Sequence, residues 1–174
     1  MKKIALSFLL LAAAALAAAP RVSRATLRAM ENSLDERISR LWSDVPYLLI
    51  GPTRGVYLEG YGAVFTAEVH LVSDRRSLMA AVVSKADVAQ AHQTSLERIP
   101  VLKKALREAL LASAASLDTV PAQEQIAIVA FLDHYPWEDV SGMPASVMVA
   151  APKGKLLEAQ RAGNADAVIQ VSEN

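Results

Sequence analysis

The sequence predicts an α+β domain in which a mixed, mainly antiparallel sheet of five or six strands packs with three or four helices and ends in a β–α–β unit. Three patterns predict it. Apolar residues recur every three or four positions from Leu27 to Leu41 and from Leu102 to Leu117, the period of one helix face. Val56 to Leu71 alternates instead, as a strand with one buried face does. Ile126 to Leu132 and Ala145 to Ala151 are continuous, short and rich in β-branched residues, and read as strands buried on both faces.

The chain opens on Lys2 and Lys3, followed by an apolar run from Ile4 to Leu16 broken only by Ser7. This is the pattern of a secretory signal peptide, and it falls short of the ~20 apolar residues that span a bilayer. Ala15-Leu16-Ala17 places small residues where signal peptidase needs them, so residues 1–17 are expected to be removed, leaving 18–174 as a single domain. The expected location is outside the cytoplasm of a bacterium, the periplasm rather than the medium.

From about Ser23 to Trp42, Leu27, Met30, Leu34, Ile38 and Leu41 stack on one side of an amphipathic helix. The spacing is close to heptad and suits a partner helix. Two to three heptads are few, however, so packing on the chain's own sheet is the expectation. Val45 to Ile50 is a β-favouring run stopped by Gly51-Pro52, and Gly51 to Gly55 reads as a turn. A hairpin follows. With Gly60-Tyr61 as a two-residue turn, Leu58 faces Ala63 and Val56 faces Phe65. That register puts Val56, Leu58, Ala63, Phe65, Ala67, Val69 and Leu71 on the core side, and Tyr57, Glu59, Val64, Thr66, Glu68 and His70 on the other.

Ser73-Asp74 is expected to cap a helix containing Leu78, Met79, Val82 and Val83, with a second helical piece through Val88, Ala91 and Leu96. Pro100 is expected to mark a boundary or the first turn of the next helix. That helix carries Leu102, Leu106, Ala109, Leu110 and Leu117, and ends between Asp118 and Pro121. The last stretch reads as a strand, a helix near Lys153 to Ala162 stopped by Gly163-Asn164, and a strand from Val168 to Val171. Such a βαβ unit would be right-handed.

Composition excludes several function classes. The 174 residues carry 18 basic and 18 acidic side chains, evenly mixed, so there is no basic face for nucleic acid. Signal cleavage removes two lysines and no acid, and the mature chain has no attraction to anionic lipid headgroups, so no membrane partner is expected. Cysteine is absent, which excludes disulfides, thiolate metal sites, thiol nucleophiles and lipidation at a lipobox. No GxSxG elbow, Walker A loop, GxGxxG turn or HExxH helix is present. Lys153-Gly154-Lys155 superficially resembles the end of a phosphate loop but lacks the upstream glycine.

The stretch Asp133 to Pro144 is longer than a hairpin connection needs, and long ordered loops at strand ends are where sites are usually built. It gathers His134, Trp137, Glu138 and Asp139, an imidazole, an aromatic surface and carboxylates that suit acid–base work, a cation or a stacking platform. A purely structural loop would use the same residues, with Trp137 sealing the core edge and Glu138 or Asp139 capping amides. His70 and Glu68, two apart on one strand face, form a further candidate pair. The three histidines lack ligand spacing, so no metal and no cofactor is expected.

Tyr57-Leu58-Glu59-Gly60-Tyr61-Gly62-Ala63-Val64-Phe65, the leucine-rich helix near Leu102 to Leu117, and Trp137-Glu138-Asp139-Val140-Ser141-Gly142-Met143-Pro144 together resemble a group of uncharacterised exported bacterial proteins, over roughly Val45 to Leu157. The resemblance implies an exported domain and carries over no activity, ligand or catalytic residue. The function expected is therefore non-enzymatic binding or self-assembly, as a homo-oligomer or with a protein partner, through the N-terminal helix or a sheet edge. The alternatives are a hydrolase or metal-dependent enzyme centred on 133–144, which requires those side chains to converge, and a small-molecule carrier with an apolar cavity.

Overall fold

The computed structural model describes residues 22–42, 49–73, 83–164 and 167–174. The expected signal peptide, most of the Val45–Ile50 strand and the helical stretch at 74–82 lie outside them. Ser23 accepts a hydrogen bond from the Thr26 amide and starts α1, Arg24–Ser39. Leu27, Met30, Leu34 and Ile38 are all buried in the core, so the apolar stripe packs on the chain's own sheet.

That sheet has five strands, β1 (Arg54–Leu58), β2 (Gly62–His70), β3 (Gln125–Asp133), β4 (Ser146–Pro152) and β5 (Gln170–Glu173), in the order β1-β2-β3-β4-β5. Among the described residues only β2 and β3 run parallel, and the connection between them carries α2, Lys85–Ser116. With α3, Lys153–Ala162, the described residues form a mixed, mainly antiparallel five-stranded sheet with three helices. The helices lie against the face that carries Phe65, Ile128 and Val149, which pair across β2, β3 and β4 and are fully buried. No helix covers the other face among the described residues.

Four expectations are corrected. The hairpin turn holds three residues, not two: the Tyr61 amide bonds the Leu58 carbonyl at 3.0 Å with Gly60 at φ 81°, and Leu58 pairs with Gly62. This one-residue shift turns every β1 side chain over. Gly55 now faces Phe65, where a Cβ would sit 2.6 Å from the ring, and Tyr57 reaches Glu124 with its hydroxyl at 2.8 Å. Val56 and Leu58 point to the helix-free face, each 48% exposed.

Pro100 does not end a helix, because α2 runs through it unbroken. It occupies the exposed side of α2, where the Leu96 carbonyl that loses its partner can be hydrated. β3 is not buried on both faces, since Phe131 is 46% exposed. The β4–α3–β5 order is as expected, but β4 and β5 are antiparallel, so the right-handed crossover rule does not apply to them. Gly163, at φ 69°, ends α3 as its stop signal implied.

The β1 edge is covered by α1. Glu31 accepts from the Gly55 amide at 2.7 Å, and Asp35 accepts from the Thr53 amide at 2.8 Å. Two acids one helical turn apart thus occupy the Gly55 amide of β1 and the Thr53 amide just before it, on the side an added strand would use. Arg24 completes the arrangement, bonding Glu31 at 2.9 Å and the Gly55 carbonyl at 2.9 Å.

Candidate functional site

The loop 133–144 leaves the carboxyl end of β3, beside the carboxyl end of its parallel partner β2, the position where open sheets with parallel strands usually bind ligands. Parallel pairing sets His70 against Asp133, and His70 Nε2 lies 2.9 Å from Asp133 Oδ2. Tyr135 stacks on the His70 ring at 4.4 Å between centroids, and Trp137 stacks on Tyr135 at 5.8 Å. His70, Tyr135 and Trp137 therefore form a continuous aromatic ladder over the end of the sheet.

Glu138 and Asp139 are engaged in local backbone bonds. Glu138 Oε1 accepts from the Tyr135 amide at 2.9 Å, and Asp139 Oδ1 accepts from the Ser141 amide at 2.9 Å. The Asp139 carbonyl takes a hydrogen bond from His92 Nδ1 at 2.8 Å, which ties the loop to α2. Of the candidate residues, His134 and Glu138 line a cavity of about 110 Å³ together with Asp133 and the apolar Leu71, Leu132 and Met143. Trp137 joins the group through the ladder. Asp139 does not line the cavity, and Glu68 lies elsewhere, in a surface depression with Arg54 and Thr66. The partner of His70 is Asp133 across the sheet rather than Glu68 along the strand.

Glu138 and Asp139 titrate in opposite directions. Burial raises the Glu138 carboxyl above its ordinary 4.5, against the Tyr135 amide and the charges of His70 and His134 and in concert with Asp133. Bonds from the Ser141 hydroxyl and amide lower Asp139. The folded chain thus holds a proton on Glu138 more tightly than the unfolded chain does, and the charged carboxylate opposes folding. Stability from this group is present at low pH and lost as pH rises through the raised value. Glu138→Gln should therefore gain on the parent protein, in urea midpoint, as pH rises from 4.5 toward neutrality. A gain that shrinks over that range would reverse the sign assigned to Glu138.

A second surface stands out for its composition. On the helix-free face, Val56, Val64 and Ala127 line up across β1, β2 and β3, and Thr66, Val129 and Met148 line up across β2, β3 and β4. Leu58 and Phe131 extend the patch at either end. A sheet covered on one side usually shows polar residues to water on the other. Arg54 and Glu68 stand exposed on neighbouring strands at its rim.

No family model, no curated protein and no solved structure matches the chain. Sequence reasoning passed over Ser95 and Tyr135. Ser95 had a signal: it follows Ala91 and precedes Ile99 at spacings of four, a polar residue in the apolar stripe of a helix. Tyr135 had none, because its stacking depends on a histidine far away in the chain.

Proposed function

We propose that this chain is an exported, non-enzymatic domain that assembles with a second copy of itself through the helix-free face of its sheet. The observation that carries this reading is the apolar patch of Val56, Leu58, Val64, Val129, Phe131 and Met148, where a one-sided sheet would ordinarily be polar. The α1 stripe packs in the core and the β1 edge is covered by Glu31 and Asp35, which moves the assembly reading from helix and edge to the sheet face. Arg54 and Glu68 add charge complementarity. A two-fold axis through the patch lets Arg54 of one protomer meet Glu68 of its partner, and the reverse.

The hydrolase reading has less support. Glu138 and Asp139 accept from loop amides instead of converging, and among the described residues no three His, Asp or Glu side chains form a metal-holding group. No helix among the described residues is long and apolar enough to cross a membrane.

Sedimentation equilibrium on protein purified from an exporting host tests the assembly. The expected result is a two-subunit mass that falls to one subunit in Leu58→Asp with Phe131→Asp. Both positions are half-exposed strand positions, and Phe131 lies opposite Glu68, so each change should cost about 1–2 kcal/mol, less than the roughly 5–15 kcal/mol that holds a domain together. A one-subunit mass for the unsubstituted protein at all concentrations overturns the reading.

A further inference from the structure

Ser95 sits on α2 with 1% of its surface exposed, lines the cavity beneath the 133–144 loop, and its hydroxyl has no hydrogen-bond partner. A buried serine in a helix normally bonds back to a carbonyl one turn earlier. Ser113, equally buried on the same helix, does so, donating to the Leu110 carbonyl at 2.7 Å. Buried hydroxyls left unsatisfied are rare in native proteins unless a ligand or an ordered water completes them.

The rest of the wall narrows what could complete it. The charged side chains there are the carboxylates of Asp133 and Glu138, with His134 beside them, and among the described wall residues there is no lysine or arginine. Glu138 offers one oxygen to the Tyr135 amide, and its other oxygen accepts nothing among the described residues. Leu71, Leu132 and Met143 supply apolar surface to the same cavity. The cavity of about 110 Å³ equals roughly four waters at ~30 Å³ each, hence a ligand of about four or five non-hydrogen atoms.

We propose that this cavity is a binding site for a short primary alkylammonium ion. Its nitrogen donates to the free oxygen of Glu138 and to Ser95 Oγ, and its alkyl stem covers Leu71, Leu132 and Met143. An anion of the same size meets two carboxylates. A neutral alcohol leaves Glu138 desolvated without a countercharge. The inference does not depend on the assembly reading, since the site belongs to one protomer.

Amide NMR titrations of the whole protein with n-propylammonium, 1-propanol, propionate and ammonium chloride test it. Propylammonium should give saturable shifts confined to the cavity wall, with 1-propanol binding at least about tenfold more weakly and propionate not at all. Glu138→Gln should weaken propylammonium by about tenfold or more, and Ser95→Ala by about threefold or more. Ser95→Ala should also leave the thermal midpoint unchanged or higher, since it removes an unsatisfied group; a serine serving only structure would lower it. Asp139→Asn, outside the cavity, should bind like the parent. If Glu138→Gln fails to fold, Ser95→Ala alone decides. Equal affinity for propylammonium and 1-propanol, unchanged affinity in the Ser95 and Glu138 variants, or an absence of saturable shifts overturns the site. Equal affinity for ammonium chloride overturns the alkyl assignment.

Discussion

Gly62→Ala is expected to cost more than about 4 kcal/mol, while Gly60→Ala, two residues earlier in the same hairpin, is expected to cost only about 1–2 kcal/mol. Both glycines have positive φ, 81° at Gly60 and 133° at Gly62. They differ in what surrounds them. A Cβ on Gly60 meets nothing within 4 Å, whereas a Cβ on Gly62 would lie 1.9 Å from the Gln125 carbonyl oxygen and 2.7 Å from its nitrogen. Those atoms belong to the backbone at the start of β3, held in place by the Gln125 amide bonding the Tyr61 carbonyl at 2.7 Å. No rotamer change relieves such a clash, so the parallel strands β2 and β3 must separate. A loss above about 4 kcal/mol is a large part of the 5–15 kcal/mol that holds a domain together. Urea unfolding followed by far-UV circular dichroism decides it. Cooperative unfolding of Gly62→Ala near the parent midpoint would contradict the close approach of β3.

Lys153→Met is expected to destabilise the protein by about 3–5 kcal/mol. Lys153 is buried, and its Nζ donates to the carbonyls of Leu117, Asp118 and Val120 at 2.7, 2.8 and 2.8 Å. Three carbonyls just beyond the end of α2 are thus satisfied by one ammonium group at the first residue of α3. Its three donors match three acceptors, and its positive charge meets the negative end of the α2 dipole. Methionine keeps the volume and removes every donor, so the acceptors are left buried and unpaired. Lys155→Met, on the exposed side of the same helix, should change stability by less than about 0.5 kcal/mol. Equal urea midpoints for the two variants would show that the Lys153 cap contributes nothing.

Both residues looked ordinary in the linear chain. Gly62 read as part of a glycine-rich hairpin and Lys153 as the edge of a failed phosphate motif, and their importance comes from Gln125 and Leu117, residues far from them in the chain. The loop 133–144 could be found as a site because its length and its His134, Trp137, Glu138 and Asp139 are local properties. Which of its carboxylates lines the cavity could not be found that way. Glu138 and Asp139 are neighbours with the same chemistry, and their separation follows from the Tyr135 and Ser141 amides each one bonds. The partner of His70 was hidden for a similar reason, since Asp133 comes alongside only through parallel pairing of β2 with β3.

Local periodicity carried the class of the fold. Apolar spacings of three and four place Leu27 to Ile38 on one helix face whatever packs against it, and Gly163 stops α3 through its own backbone freedom. Alternation along β2 put Ala63, Phe65, Ala67 and Val69 in the core before any partner strand was known. The register of β1 needed the assembled sheet, because a two-residue and a three-residue turn suit Glu59-Gly60-Tyr61 almost equally as a peptide. The ring of Phe65 under Gly55 and the hydroxyl of Tyr57 on Glu124 distinguish them. That choice sends Val56 and Leu58 to the helix-free face and thereby creates the surface on which assembly is proposed. Short-range preferences are written in neighbouring residues, whereas a one-residue register is selected by contacts that exist only once distant strands and helices have met.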